Sequence, residues 1–305
     1  MMVNRKSYFI LYPLIAVSLF VLLQIFPGIS LANSTSNHVK AQLISEVKSI
    51  KPGQAFCVAV HLVMDEGWHT YWRNPGDSGS PTEIKWDLPE GFIADDIQWP
   101  YPLNFETPPL VSFGYKDEVF LLTEIKASES INPGSRARLR ANVDWLVCKE
   151  VCIPGHADLS IEIPVKNENP KIDERWADLF KNTREKLPKT YSDWKINASI
   201  KQNQIFIQIT PPSWFENELS NIIFFPEHLE LVDYSESQNF KRSDRGYIIE
   251  LKRSQFATKL PSRLKGVLFS KKGWGYSRRE RALHVDVPFK RYEINYKRRY
   301  LNETS

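Results

Sequence analysis

Two thiols held three residues apart are the chemically informative feature of this 305-residue chain: Cys148 and Cys152, in Trp145-Leu146-Val147-Cys148-Lys149-Glu150-Val151-Cys152-Ile153-Pro154-Gly155. A pair this close can open and close a disulfide as one unit. One thiolate attacks a partner's sulfur, the second resolves the mixed disulfide, and the partner needs access. Three intervening residues let a strand fold back far enough to bring the two Cα atoms within the roughly 4.4–6.8 Å that a disulfide requires. So short a loop adds little chain-entropy stabilisation, whereas a purely structural bond would do more by joining distant strands. An inert local staple is the structural alternative. Metal binding is the other: Cys148, Cys152 and His156 repeat every four residues and would align on a helix. Val151, Ile153 and above all Pro154 oppose a helix here, so no metal and no other cofactor is expected. Lys149 would favour a neighbouring thiolate and Glu150 would oppose it.

The elements that must position this pair read as β-structure. Val39 to Ser49 and Ala55 to Met64 are two strand runs separated by the Lys51-Pro52-Gly53-Gln54 turn. A strand end is expected at Trp68–Trp72 and a loop at Asn74–Pro81, with further strands at Glu83–Asp87, Ile97–Trp99, Val119–Lys126, Ser135–Val147 and Ala157–Val165. The cysteine pair then lies between the end of one strand near Val147 and a turn beginning at Ile153. Trp176, Leu179, Phe180 and Leu187 share one face of a helix running to about Lys186, which Pro188 ends. Beyond it, Trp194–Ile200, Gln204–Thr210, Asn221–Phe225, Leu229–Asp233, Tyr247–Leu251, Leu264–Ser270 and Ala282–Val287 are strand-like. Many short strands with frequent turn residues imply an all-β chain of two tandem antiparallel β-sandwiches joined by a short helical linker. The expected division is a redox sandwich over 33–166, a helical linker over 167–190, a second β-sandwich over 191–290 and a basic tail over 291–305.

Composition bounds the function. The N-terminus has Arg5 and Lys6, an apolar stretch from Tyr8 to Phe26, then Pro27-Gly28 and the small-residue site Ser30-Leu31-Ala32. This reads as a signal peptide over residues 1–32, cut after Ala32, and hence a periplasmic protein. The stretch is also long enough to serve as an uncleaved inner-membrane anchor. The formal charge is +4 overall and +2 once Arg5 and Lys6 are removed, so nucleic acid is not an expected partner. The tail, with Lys290-Arg291 and Lys297-Arg298-Arg299, reads as a solvated basic terminus, with a weak contact to anionic lipid or a partner as the alternative. With three cysteines the chain is not a disulfide-stapled scaffold. The third, Cys57, sits in the apolar run Ala55–Leu62 and is expected to be buried and inert.

Three segments together resemble a known family. They are Gly67-Trp68-His69-Thr70-Tyr71-Trp72-Arg73-Asn74-Pro75-Gly76-Asp77-Ser78-Gly79, Phe113-Gly114-Tyr115-Lys116-Asp117-Glu118-Val119, and Cys148 to Gly155. They resemble the N-terminal periplasmic domain of the DsbD thiol:disulfide interchange proteins, closest to the branch that includes the copper-tolerance protein ScsB. Gly266-Val267-Leu268, Gly273-Trp274 and Ala282 to Pro288 look like the second β domain of that branch. The resemblance implies an immunoglobulin-like sandwich that acts as a protein-disulfide reductase component, in a family linked to cytochrome c biogenesis and copper tolerance. It implies that Cys148 and Cys152 are the working pair, with Cys152 entering mixed disulfides. It also implies an aromatic lid, matched here to Phe113 or Tyr115, and neighbours His69 and Tyr71 beside the pair. Exported disulfide proteins would be the substrates. Because the chain ends at Ser305 without a multi-helix domain or a C-x-x-C thioredoxin motif, a separate membrane-embedded thiol reductase is expected to supply electrons. Direct copper binding is disfavoured by the three methionines, two of them in the signal. The competing expectation is a non-enzymatic periplasmic binding or chaperone module with an inert disulfide.

Overall fold

A computed structural model of the chain describes residues 33–291, apart from 217 and 276–278. The expected signal segment and the tail beyond 291 lie outside the described residues. Among the described residues no helix is long and apolar enough to cross a membrane.

Among the described residues eleven strands precede the helix: β1 (Asn33–Ser36), β2 (Val39–Ser45), β3 (Ala55–Met64), β4 (His69–Gly76), β5 (Glu83–Asp87), β6 (Phe92–Ala94), β7 (Leu103–Thr107), β8 (Leu110–Lys116), β9 (Glu118–Ala127), β10 (Arg136–Cys148) and β11 (Cys152–Pro164). They form a five-stranded sheet in the order β1-β2-β3-β9-β6 and a six-stranded sheet in the order β11-β10-β4-β8-β7, with β5 also on β10. The period-two pattern explains the layers. In β10, Ala137, Leu139, Ala141, Val143 and Trp145 are buried, while Arg136, Arg138, Arg140 and Asn142 face water. These meet Phe56, Val58, Val60 and Leu62 of β3 and Leu121 and Ile125 of β9 in one core.

β3 and β9 are apolar on both faces because their outer face is covered too. There Ile44, Cys57, Ala59, Phe120 and Leu122 pack beneath Phe180 of helix α1 (Ala177–Lys186), with Trp176, Leu179 and Leu187 around them. Arg184 clamps the helix to the residue just after β2 with two hydrogen bonds to the Glu46 carboxylate, at 2.5 and 2.6 Å. The segment expected as a linker is therefore docked on the first sandwich. Leu187 turns extended ahead of Pro188, as the steric demand of proline on its predecessor requires.

Seven strands follow: β12 (Lys195–Lys201), β13 (Gln204–Thr210), β14 (Ile223–Pro226), β15 (Asn239–Ser243), β16 (Gly246–Lys252), β17 (Arg263–Phe269) and β18 (Ala282–Arg291). Their order is β14-β17-β18-β12-β13-β16-β15. β18 pairs antiparallel with β17 through Ala282–Pro288 and then parallel with β12 from Phe289. One strand thus links two arms of the ladder, and Leu264, Leu268 and Leu283 from one arm pack with Ile205, Ile207 and Ile249 from the other. The chain is a tandem of immunoglobulin-like β-sandwiches, and Phe225, Val267 and Ala282 of the second join the core of the first.

Several expected elements differ. Asn74-Pro75-Gly76 is the end of β4 rather than a loop, reached through a bulge between Tyr71 and Gly76. Ile97–Trp99 and Leu229–Asp233 contribute only single bridges, Gln98 to Leu122 and Val232 to Arg253. The β7–β8 hairpin and β15 escape a pattern search: β15, Asn-Phe-Lys-Arg-Ser, has a single apolar residue.

Burial holds the Cys57 thiol up to about 12, against the lowering pull of Arg184, so it is protonated at neutral pH. The Phe180→Ala variant is expected to lose about 3–5 kcal/mol of stability in urea. It should also let a maleimide reach Cys57 in the folded state, as its cover is gone; a Cys57 that stays unlabelled would show that α1 is not what seals it.

Candidate functional site

Strand register assembles the site. Cys148 and Cys152 are the last pair of the β10–β11 ladder, and Cys148 is also the one residue of β10 in register with β4, opposite His69. Directly opposed residues share a sheet face, as do residues two apart. Cys148, Cys152, His69 and Tyr71 therefore lie on the same face. On β8, Gly114 pairs with Tyr71 and with Leu103 of β7, so Leu103 and Phe105 belong to this face as well.

Cys148 and Cys152 form a disulfide with a Cα–Cα distance of 4.2 Å, and the turn is Lys149-Glu150-Val151 between them. The turn thus precedes Cys152, and Ile153-Pro154-Gly155, expected as a turn, is strand. β11 is the edge of its sheet, where a proline without an N–H can be accommodated. Since the segment is a hairpin, the helical alignment of Cys148, Cys152 and His156 does not arise. His156 instead bonds Asp144 at 2.7 Å. Among the described residues no group of three or more His, Cys, Asp or Glu side chains could hold a metal ion.

The two sulfurs are unequal. Cys148 is 3% exposed, whereas Cys152 is exposed beside Val151, itself 61% exposed. The alternation of β10 would leave Cys148 open to water, so its burial comes from side chains laid over that face. The Tyr71 hydroxyl lies 3.7 Å from Cys152 Sγ. His69 meets Tyr71 edge-on at 5.3 Å and is stacked by Phe105 at 4.5 Å with ring planes 17° apart. Gly79 lies flat on the Tyr71 ring: a Cβ there would come within 2.2 Å of Cε1, and its φ of +103° also favours glycine.

Burial lowers the His69 pKa, so near neutral pH it is an uncharged imidazole and offers no positive charge to a thiolate. Burial raises that of Tyr71, so its hydroxyl keeps its proton and can donate to sulfur.

Of the expected site residues, the structure brings together Cys148, Cys152, His69 and Tyr71. It does not bring Phe113 or Tyr115 over the sulfurs. Both alternate with Gly114 and point to the opposite face of β8. Phe113 packs against Phe225 and Tyr234 at 5.2 and 5.0 Å, and the buried Tyr115 donates its hydroxyl to the Pro100 carbonyl at 2.7 Å. The aromatic stacked on His69 is Phe105, which the sequence reading passed over. Its only local signal is the Pro108-Pro109 turn between two short alternating runs.

A β-sandwich with a half-covered disulfide at one hairpin tip is the class that fold and site define. Residues 39–163 match the family model for the thiol:disulfide interchange protein DsbD, N-terminal, and this segment is a DsbD N-terminal domain. The wider fold is shared with the N-terminal periplasmic domain of ScsB from Proteus mirabilis, at a TM-score of 0.60 and 15% identity over 85% of this chain and 97% of that one. The E. coli chaperone DraB gives a TM-score of only 0.22 at 10% identity, over 81% of this chain and 96% of its own. The CsuC-CsuE chaperone–tip adhesion complex of Acinetobacter baumannii gives 0.23 at 11%, over 83% and 99%. Among curated proteins, none has a matching sequence.

In an NMR titration, His69 is expected to protonate below the usual histidine range near 6.5. Replacing its cover in a Phe105→Ala variant should bring it back up; no upward movement would mean that Phe105 does not shield this face.

Proposed function

We propose that the chain is a periplasmic thiol–disulfide relay working through Cys148 and Cys152. The observation that carries the reading is the inequality of the sulfurs: one exposed at a hairpin tip, the other buried directly behind it. In the reduced protein the Cys152 thiolate attacks one sulfur of a partner's disulfide. That forms the Cys152–partner bond and releases the partner's other sulfur as a thiol. Cys148 then attacks Cys152 Sγ, which breaks the mixed disulfide and expels the second partner sulfur. The partner leaves with two thiols, and Cys148–Cys152 is oxidised. A dithiol on a membrane-embedded reductase resets the pair by the reverse exchange. The substrates are exported proteins with reducible disulfides, and the working unit is the sandwich of residues 33–166. The further division into a helical segment over 167–190 and a second sandwich over 191–290 belongs to the same proposal.

The covering face fits this chemistry. Tyr71, protonated and within reach of Cys152, donates to the developing thiolate and favours it. His69, opposite Cys148 and stacked by Phe105, lies beside the inner sulfur, so an oxidant meets the outer sulfur first. Access from the Val151 side is left open.

Two tests follow from the roles of the sulfurs. Expressed in the periplasm, a Cys148→Ala variant should accumulate mixed disulfides visible on non-reducing electrophoresis, because nothing resolves them. Cys152→Ala should accumulate few. Equal trapping by both, or by neither, would reject the assignment. Tyr71→Phe should raise the pKa of the reduced Cys152 by about one unit, through the loss of one hydrogen bond to a charged sulfur. The pH dependence of its alkylation reads this directly, and an unchanged profile would remove Tyr71 from the mechanism.

A further inference from the structure

The Asn74-Pro75-Gly76-Asp77-Ser78-Gly79 run links the second sandwich to the sulfurs. Asn74 is fully buried, and its amide donates to the Pro226 carbonyl at 2.7 Å and the Tyr234 hydroxyl at 2.9 Å, with the His228 carbonyl at 3.3 Å. Its own oxygen accepts the Gly76 N–H at 3.0 Å. Gly76 has a φ of +87°, and a Cβ on it would lie 2.4 Å from the Val111 carbonyl, so β4 and β8 meet there without a side chain between them. The next residues continue the seam. Asp77 N–H donates to Val111 O at 2.8 Å, its carboxylate accepts Val111 N–H at 2.9 Å, and the Ser78 and Ser112 hydroxyls meet at 3.1 Å. Then comes Gly79, flat against Tyr71, which reaches Cys152.

The hairpin that carries Phe105 rests on the same support. Phe113 on β8 is edge-on to both Phe225 and Tyr234, at 87° and 81°. Its register partner on β7 is Asn104, the residue before Phe105. A two-stranded hairpin is only marginally stable alone; here it is held by the pairing of β8 with β4 and by packing on its other face.

We propose that the second β-sandwich is the positioning element for the cover over Cys148. Tyr234 and Phe225 act as positioning residues: they hold β4 and β8 so that Tyr71 stays beside the pair and Phe105 stays stacked on His69, the register partner of Cys148. This rests on the redox reading of the pair and adds to it a role for the second sandwich. Loosening that contact uncovers the site without touching a residue beside it, so a partner bound to the second sandwich could set the reactivity of the first.

The test is alkylation of the reduced full chain by iodoacetamide in a Cys152→Ser background, followed by mass spectrometry at Cys148 and at Cys57. Cys57, sealed under α1, reports general loosening. Tyr234→Phe and Phe225→Leu are each expected to speed Cys148 alkylation by about threefold or more while leaving Cys57 unchanged, since a local opening exposes only its own region. The proposal is overturned if both variants leave Cys148 within about 1.5-fold of the parent, or if Cys57 accelerates in parallel. Phe105→Ala in the same background separates the two layers of argument. If it speeds Cys148 while the interface variants do not, the coupling fails and the cover stands. If it does not, the cover reading fails as well.

Discussion

Strand register is the constraint on which the site depends. β10 is locked to β11 along its whole length, and it meets β4 at one pair, Cys148 with His69. Because side chains alternate across a pleated sheet, a shift of either strand by one residue would send its member of the cluster to the other face. The long ladder is held by inward residues such as Leu139, Val143, Leu159 and Ile161, so the core that stabilises the sandwich also fixes the sulfur geometry. Stability and chemistry share one set of contacts, and the cysteines stand at the last rung of that ladder.

The local environment at that rung is unusual for a sheet edge. β10 alternates buried and exposed until Val147 and Cys148, which are both buried. His69 of β4 lies opposite Cys148 and carries Phe105 of β7 stacked on it, and burial keeps His69 neutral and Tyr71 protonated. The outer sulfur escapes this cover. A buried and an exposed sulfur in one bond leave only the outer one open to the approach of another group.

The helix and the second sandwich extend the first sandwich on two sides. Helix α1 closes the outer face of β3 and β9 and seals Cys57, which removes the odd thiol from exchange. On the other side Phe225, Val267 and Ala282 continue the first core. Asn74 satisfies its buried amide on groups from the second sandwich, the arrangement expected of a buried polar side chain. The two sandwiches are thus joined by packing and by directional bonds, which restrict sliding more than apolar contact alone does.

What the amino-acid sequence determined by itself was the local chemistry. Alternation in Ser135–Val147 gave β10 to within one residue, and that in Ala157–Val165 gave β11 without its first five residues; the helix ended where Pro188 demanded, and the Cys148/Cys152 spacing implied a disulfide. Period and spacing are properties of neighbours, so they can be read along a chain. The cover could not be read this way. Phe113 and Tyr115 matched a family pattern yet face the core, and Phe105 carries no signal beyond a short run before two prolines. Which face a side chain takes is decided by pairing with strands far away in sequence, Gly114 with Tyr71 and Cys148 with His69, and by the bulge that re-aims β4 toward the second sandwich. Only the tertiary structure decided these, because register is settled by the whole sheet at once and not by the residues beside the site.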